Sequence, residues 1–193
     1  HPKNPINPYG QSKLMVENIL KDICAVYAIN VTCFRYFNAA GADSSGVIGE
    51  AHDPETHLIP NILKSTFADG NVLKVFGDDY ETHDGTCIRD YVHVTDLAEA
   101  HFLGLKYLRD NGGFSAFNLG SGIGYSVLDV IRSCERAVKK MIPYVMDMRR
   151  KGDPAMLVAD NSTAMCDLSW KPKFSDLDSL TLSAWKWHES FNI

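Results

Sequence analysis

The sequence predicts an α/β protein in which helices alternate with strands of a parallel sheet. Apolar side chains recur at helical period over about residues 9–27, and a strand pattern that is apolar on both faces follows directly over 30–37. Strands buried on both faces are typical of parallel sheets, because helices cover each side. The alternation continues to residue 191, which predicts one substantial domain or two small ones in 193 residues.

Local signals mark the ends of these elements. Pro8 suits the first position of the first helix, since its missing N–H has no helical partner there. Gly70 is a C-terminal signal for the second helix, and Thr95 and Ser126 are expected to cap the third and fourth. Helices are predicted over 9–27, 58–69, 96–109, 127–138, 161–170 and 176–191, and strands over 30–37, 73–76, 87–94, 116–119, 144–148 and 156–158.

Composition excludes several classes of protein. Nineteen Lys and Arg against 24 Asp and Glu give a net charge of −5 without long runs of either sign, so we expect neither a nucleic-acid nor a membrane surface. Five cysteines form no Cys-x-x-Cys pair, which favours a reducing, cytoplasmic location. No apolar run approaches the ~20 residues of a membrane span. The proline-rich start lacks Met, and we expect the chain to begin within a longer protein.

Tyr9 and Lys13 are candidates for proton transfer. Residues four apart lie on one face of a helix, so the two side chains are expected to lie together in the first turns. An ammonium beside a phenol favours the phenolate, because an opposite charge lowers the pKa of an acid. This spacing is also common in surface helices, and the surrounding sequence must decide between the two interpretations.

Two loops have a composition or length that suggests a function. The segment 38–57, rich in Gly, Asp and Ser, is longer than most connections and therefore a candidate functional loop. The segment 120–124 contains three glycines and precedes a helix, as in a dinucleotide-binding loop. Tyr125 stands where the third glycine of Gly-x-Gly-x-x-Gly is required, so we interpret the segment as a tight strand-to-helix turn.

Three arginines could hold an anionic ligand. Arg149 and Arg150 form a compact basic pair, and guanidinium groups bind phosphate through two parallel hydrogen bonds. Arg89 offers a separate guanidinium, so that two arginines converging on a cleft would suit a pyrophosphate. Asp153 could accept hydrogen bonds from sugar hydroxyls, and Phe76 at a strand end could stack on a base.

Metal and hydrolase chemistry are not predicted. The seven histidines show neither a His-Glu-x-x-His motif nor another compact ligand spacing that we recognise, so no metal site is expected. Ser121 lies between glycines but lacks the Gly-x-Ser-x-Gly elbow of a serine hydrolase.

Several stretches in order resemble the UDP-glucose 4-epimerase family of extended short-chain dehydrogenases/reductases, over essentially the whole chain. The stretches are 8–17 (PYGQSKLMVE), 35–42 (RYFNAAGA), 56–60 (THLIP), 76–80 (FGDDY) with 84–86 (DGT), 89–94 (RDYVHV) and 118–120 (NLG). The Tyr-x-x-x-Lys spacing alone would specify only the superfamily, whereas the later stretches point to the epimerases.

The resemblance implies a division of the chain. Residues 1–40 would be the end of a Rossmann-type NAD-binding sheet with flanking helices, to which a strand and helix near 87–118 can return. Residues 41–193 would form a smaller, mixed α/β domain that binds UDP-sugar. Members of the family begin with a Gly-x-x-Gly-x-x-Gly loop and a catalytic Ser or Thr, and neither precedes His1. The resemblance is therefore to the C-terminal part of the family.

The implied activity is NAD-dependent inversion at C4 of a UDP-hexose. It would interconvert UDP-glucose and UDP-galactose through a 4-keto sugar, in galactose metabolism. Tyr9 would accept the proton of the 4-hydroxyl, and Lys13 would bind the nicotinamide ribose. Tyr36 and Phe37 would lie beside the nicotinamide, and the complete enzyme is expected to be a homodimer.

The resemblance also implies a set of residues that bind the UDP-sugar. They are Asn38, His57, Leu58, Phe76, Arg89, Arg150, Asp153 and Leu157. Leu157 stands where some relatives carry Tyr, which implies a roomier pocket able to admit N-acetyl groups.

Two alternatives remain open at this point. The chain could belong to another nucleotide-sugar enzyme of the superfamily, such as a dehydratase or decarboxylase. It could also be a non-catalytic UDP-sugar-binding fragment, because a chain without the glycine loop would lack the helix N-terminus that holds the pyrophosphate of NAD.

Overall fold

A computed structural model describes residues 3–67 and 70–191 and has the predicted α/β architecture. The helices are α1 (Pro8–Val26), α2 (Leu58–Ser65), α3 (Val94–Asn111), α4 (Val127–Val138), α5 (Ser162–Asp167) and α6 (Leu177–Phe191). The strands are β1 (Val31–Tyr36), β2 (Asn38–Ala40), β3 (Leu73–Phe76), β4 (Ile88–His93), β5 (Phe114–Leu119), β6 (Gly124–Ser126), β7 (Tyr144–Asp147) and β8 (Met156–Leu157).

Parallel pairing dominates the strands, as predicted. β1 pairs with β5, β2 with β4, β3 with β7 and β8 with β4, all in parallel, and β6 alone of the described strands runs antiparallel, to β4. The chain passes from β1 into β2 through Phe37, whose N–H donates to the carbonyl of Leu119 at 3.0 Å. The carboxyl end of β1 thus joins the start of β2, which lies beside β4.

Two apolar cores hold these layers together. One lies between α2, α4 and α6 and the strands β2 and β4, and the other joins α3 and α5 to β4 and β5. Fully buried members of the two cores include Ile62, Leu63, Ile131, Leu180, Phe117, Leu119 and Trp170.

The helix ends show one confirmed cap and one correction. Ser126 caps α4 as predicted, because its hydroxyl accepts from the N–H of Asp129 at 3.0 Å and the Asp129 carboxylate accepts from the Ser126 N–H at 3.1 Å. Thr95 does not cap α3. The cap is His93, whose Nδ1 accepts from the Thr95 N–H at 3.1 Å, so the helix begins two residues earlier than predicted. α2 ends at Ser65, and part of its predicted extension, at 68–69, lies outside the described residues.

The predicted buried stripe of α1 is mostly wrong. Of the residues of α1, all of which the structure describes, Glu17 alone is buried, and Ile19 is 57% exposed. Periodicity correctly predicted the helix, but within the described chain the main packing partners of α1 are β1 and β5, which cover a small part of its apolar face. For the same reason β1 is half-buried rather than enclosed on both faces.

None of the helices in 3–67 or 70–191 has both the length and the apolar character required to cross a lipid bilayer.

Candidate active site

A cavity of about 570 Å³ opens where β2, β3, β4 and the start of α2 meet. Seven of the eight residues predicted to bind a UDP-sugar line it: Asn38, His57, Leu58, Phe76, Arg89, Arg150 and Asp153. Leu157 is the exception among the described residues. It lies in β8 beside Arg89 in register and is 49% exposed, and its predicted role in the sugar pocket stays a prediction.

Asn38 and Arg89 are fixed by main-chain contacts. The amide of Asn38 donates to the carbonyl of Asp90 at 2.7 Å. Arg89 is only 14% exposed, and its Nη1 donates to the carbonyls of Ile88 and Pro154, both at 2.8 Å. Its Nη2 lies 3.6 Å from a carboxylate oxygen of Asp153. These bonds tie β4 to the segment after Arg150 and hold the guanidinium at the cavity wall.

The two adjacent arginines separate, which corrects the prediction of a single basic pair. The Arg150 guanidinium carbon lies 4.1 Å from the centroid of the Phe76 ring and lines the cavity. Arg149 instead lies 4.1 Å from the Tyr80 ring and forms an ion pair with Asp79, away from the cavity. Cation–π contact favours both positions, and it places Arg150 on one face of the ring that was expected to stack on a base.

The cavity favours an anionic ligand. Among the described residues that line it, one carboxylate, Asp153, faces four cationic side chains: Lys64, Lys74, Arg89 and Arg150. Lys74 also lies 3.1 Å from Asp147 in β7. The surplus of positive charge in a concave, partly desolvated site attracts phosphate groups more strongly than the acidic surface of the whole chain would.

Sequence reasoning missed several lining residues. Asn61 and Lys64 project from α2 on the side of His57, and their spacing of three on an amphipathic helix was the available signal. Cys87 and Tyr91 are buried, and burial raises the pKa of both, so they are wall residues that stay neutral. No spacing distinguishes such residues from ordinary core.

Tyr9 and Lys13 lie together, as the spacing predicted, but away from the cavity. The Lys13 Nζ is 5.2 Å from the centroid of the Tyr9 ring, and Tyr9 is 72% exposed. Asn7 caps α1 by accepting from the Gly10 N–H at 2.8 Å, which sets Pro8 and Tyr9 in the first turn. The pair therefore stands on an open face of the described chain.

Tyr36 and Phe37 connect this face to the cavity. Tyr36 ends β1, and Phe37 joins it to Asn38, the first lining residue. The Tyr36 hydroxyl lies 2.5 Å from Nε2 of His101, and burial raises the pKa of Tyr36. Among the described residues that line the cavity, neither Tyr36 nor Phe37 is present. The residues predicted to bind the cofactor therefore end where the residues predicted to bind the substrate begin, at Asn38.

The glycines at 120–124 form the predicted strand-to-helix turn. The buried Asp90 carboxylate accepts from the N–H of Ser121 at 2.7 Å, of Gly122 at 2.9 Å and of Ala159 at 3.1 Å. A Cβ at Gly120 would lie 2.5 Å from this carboxylate, so glycine is required for the close approach. These N–H groups are occupied within the protein and are not offered to a dinucleotide phosphate.

Comparisons with known proteins agree with this geometry. Residues 1–120 match the model of the NAD dependent epimerase/dehydratase family. The UDP-glucose 4-epimerase of Lactobacillus helveticus is 50% identical over 189 residues, which cover 98% of this chain and 57% of that protein.

Solved structures give the same result. The UDP-glucose 4-epimerase from Brucella ovis in complex with NAD superposes with a TM-score of 0.89 at 48% identity, over 94% of this chain and 56% of that one. The Bifidobacterium longum enzyme in complex with NAD+ and UDP gives 0.90 at 40% identity, over 97% and 56%. The chain thus spans little more than half the length of these relatives. Its sequence and its fold together show that the chain belongs to the NAD dependent epimerase/dehydratase family.

Proposed function

We propose that this chain is the substrate-binding part of an NAD-dependent UDP-glucose 4-epimerase, which interconverts UDP-glucose and UDP-galactose. The observation that carries the proposal is the cavity, which gathers Arg89, Arg150 and Asp153 around a volume of about 570 Å³. The guanidinium groups suit a diphosphate, and the carboxylate suits sugar hydroxyls. The similarity to the Lactobacillus helveticus enzyme supports the choice of substrate.

The exposed face of α1 fits an NAD cofactor. Tyr9 and Lys13 stand together on it. Tyr36 ends β1, with Phe37 directly after it, at the carboxyl edge of a parallel pair, where dinucleotides bind in α/β sheets. Bound NAD would supply a hydride acceptor and donor. In this proposal Tyr9 holds and returns the proton of the sugar 4-hydroxyl, while Lys13 binds the nicotinamide ribose and keeps a positive charge beside the phenol.

The division of the chain and its assembly belong to the same proposal. We place residues 1–40 with the NAD-binding domain, together with a strand and helix near 87–118, and residues 41–193 with the UDP-sugar domain. The exposed apolar side chains of α1, including Met15, Val16 and Ile19, support burial against another surface, and we propose a homodimer in the complete enzyme. The free state of all five cysteines supports a cytoplasmic location.

Joining this chain to the N-terminal part of the Lactobacillus helveticus relative tests the activity. We expect the joined protein to convert UDP-galactose to UDP-glucose with NAD, as followed by chromatography of the nucleotide sugars. The chain alone is expected to bind UDP without turnover. Release of a dehydrated or decarboxylated sugar would favour another enzyme of the superfamily, and turnover by the chain alone would contradict the division of roles.

A further inference from the structure

Four side chains of the long loop before α2 converge at one point, and of these only His57 also lines the cavity. They are Glu50, His52, Glu55 and His57, and one donor atom from each lies within 4.8 Å of all the others. We refer to them as the His–Glu cluster. Two imidazoles and two carboxylates form a donor set that suits zinc and related transition-metal ions rather than Mg²⁺ or Ca²⁺, which prefer oxygen alone.

The side chains of the cluster are in hydrogen-bond contact, at separations that lie close to those between the ligands of a metal ion. Nδ1 of His57 lies 2.8 Å from Oε1 of Glu50 and 2.9 Å from Oε1 of Glu55. Nδ1 of His52 lies 3.0 Å from the same Glu50 oxygen and 3.9 Å from Oε2 of Glu55. Tetrahedral zinc with bonds of about 2.0–2.1 Å places its donors about 3.3 Å apart. The cluster therefore needs only small shifts to enclose an ion.

Glu55 supplies an independent observation. Its side chain is only 5% exposed, and its Oε2 is buried without a hydrogen-bond partner in the described part of the chain. Burial acts to raise the pKa of this carboxyl, but the hydrogen bonds from His57 and Thr56 outweigh it and lower that pKa. A buried carboxylate oxygen without a donor costs free energy, which a cation beside it would offset.

The backbone around the cluster is held in place. The indole N–H of Trp187 in α6 donates to the carbonyl of Glu50 at 3.1 Å. A Cβ at Gly49 would lie 2.3 Å from the Trp187 ring, so the loop approaches α6 as closely as only glycine permits. The N–H groups of Thr56 and His57 donate to Oε1 of Glu55, both at 2.8 Å. The backbone at Glu50 and the carboxylate of Glu55 are thus positioned by contacts outside the cluster.

We propose that Glu50, His52, Glu55 and His57 bind one divalent transition-metal ion of the zinc class, which fastens the loop to the start of α2. His57 also lines the cavity, and an ion on its Nδ1 leaves Nε2 protonated as a donor. The ion would thereby fix the tautomer of a cavity residue. Binding of the ion does not depend on the proposed epimerase activity.

A second group of similar composition provides the matched control. His83, Asp84 and Asp129 also lie close together, but both Asp84 oxygens are already engaged. One accepts from Thr86 at 2.8 Å and 2.9 Å, and the other accepts from the Ser126 hydroxyl at 2.5 Å. Neither carboxylate oxygen of Asp84 is left without a hydrogen-bond partner, so we propose no metal site at this group. Removal of the His83 imidazole should therefore leave zinc binding intact.

Zinc titration of the chain tests the proposal. The protein is prepared without a histidine tag, stripped with a chelator and titrated with Zn²⁺ in competition with a chromophoric chelator. We expect one Zn²⁺ per chain, affinity lowered at least tenfold in His52→Ala and in Glu55→Gln, and affinity unchanged in His83→Ala. Co²⁺ should give the visible absorption of a tetrahedral site in the wild type and in His83→Ala only.

Folding is monitored in the same samples. Circular dichroism establishes that each variant is folded, and Zn²⁺ should raise the Tm of the wild type but not of Glu55→Gln. Absence of stoichiometric zinc in the folded wild type would overturn the proposal, as would equal affinities of the His52→Ala and His83→Ala variants. UDP binding, measured separately, tests the proposed function and leaves the metal result unaffected.

Discussion

The cavity and the Tyr9–Lys13 face are built in opposite ways. The cavity is enclosed by three strands and a helix over an apolar core, and its Arg89 is held by two main-chain carbonyls at 2.8 Å. The Tyr9–Lys13 face stands on a helix whose one buried residue is Glu17. A ligand of the cavity therefore meets fixed groups within this chain, whereas the chemistry of Tyr9 requires a further surface to enclose it.

The largest expected effect is a loss of turnover on substitution of Tyr9. Tyr9→Phe in the joined protein removes the proton acceptor and should lower kcat about 10²–10⁴-fold, the usual contribution of a general base. UDP affinity should not change, because Tyr9 does not line the cavity among the described residues. Steady-state kinetics and UDP calorimetry measure both, and a parallel loss of UDP affinity would show that the two regions are one site.

A smaller effect is expected from Arg89→Ala on the cavity side. The substitution removes a guanidinium from the wall and leaves the carbonyls of Ile88 and Pro154 without their donor. Hydrogen bonds to charged groups are worth about 1.5–3 kcal/mol, so UDP affinity should fall about 10–100-fold. Calorimetry on the folded variant measures the change, and an unaltered Kd would exclude Arg89 from the binding site.

Arg149 and Arg150 provide a matched pair of variants for testing UDP binding to the cavity. Arg150→Ala should weaken UDP binding about tenfold, whereas Arg149→Ala should leave it nearly unchanged, because Arg149 faces Tyr80 and Asp79. Each variant removes the same charge, so the pair controls for long-range electrostatics. Equal losses in the two variants would mean that net charge, and not position, sets the affinity.

The smallest effect concerns the attachment of α1. Hydrogen bonds from Arg35, at 2.9 Å and 2.6 Å, and from Lys3 lower the pKa of Glu17 from its ordinary value of 4.5 despite burial. This contribution to stability is present above pH 4.5 and is lost as the pH falls through the lower, folded-state pKa. It should amount to about 1 kcal/mol, because Arg35 and Lys3 are partly exposed.

Chemical denaturation at pH 7 and pH 3 of the wild type and Glu17→Gln measures this contribution. The variant should be less stable at pH 7, with the difference narrowing at pH 3. A difference that does not depend on pH would contradict an ionic attachment.

The sequence predicted the cavity better than it predicted burial. Asn38, Arg89 and Arg150, which the family resemblance singled out, all line one cavity, and their role in binding a UDP-sugar stays a prediction. The separation of Arg149 from Arg150 could not be predicted, since it depends on Tyr80 and Phe76, which are far from both arginines in sequence. The exposure of Ile19 could not be predicted either, because helical period shows which face is apolar but not what covers it.

The His–Glu cluster could not be predicted from the sequence for the same reason, because distant residues determine its geometry. Its four residues stand at positions 50, 52, 55 and 57, a spacing that matches no familiar metal motif. Only the path of the loop brings their metal-ligating atoms together. Trp187 fixes part of that path from a position 137 residues away, at Glu50. Long-range packing of this kind leaves no periodic signal in the sequence.

Titration of this chain with UDP tests most directly the claim that its cavity is a complete binding site. We predict saturable binding of one UDP per chain by calorimetry, weakened in the folded Arg89→Ala variant and retained in Tyr9→Phe. Absence of saturable binding to the folded wild-type chain, or equal affinities of wild type and Arg89→Ala, would contradict the account.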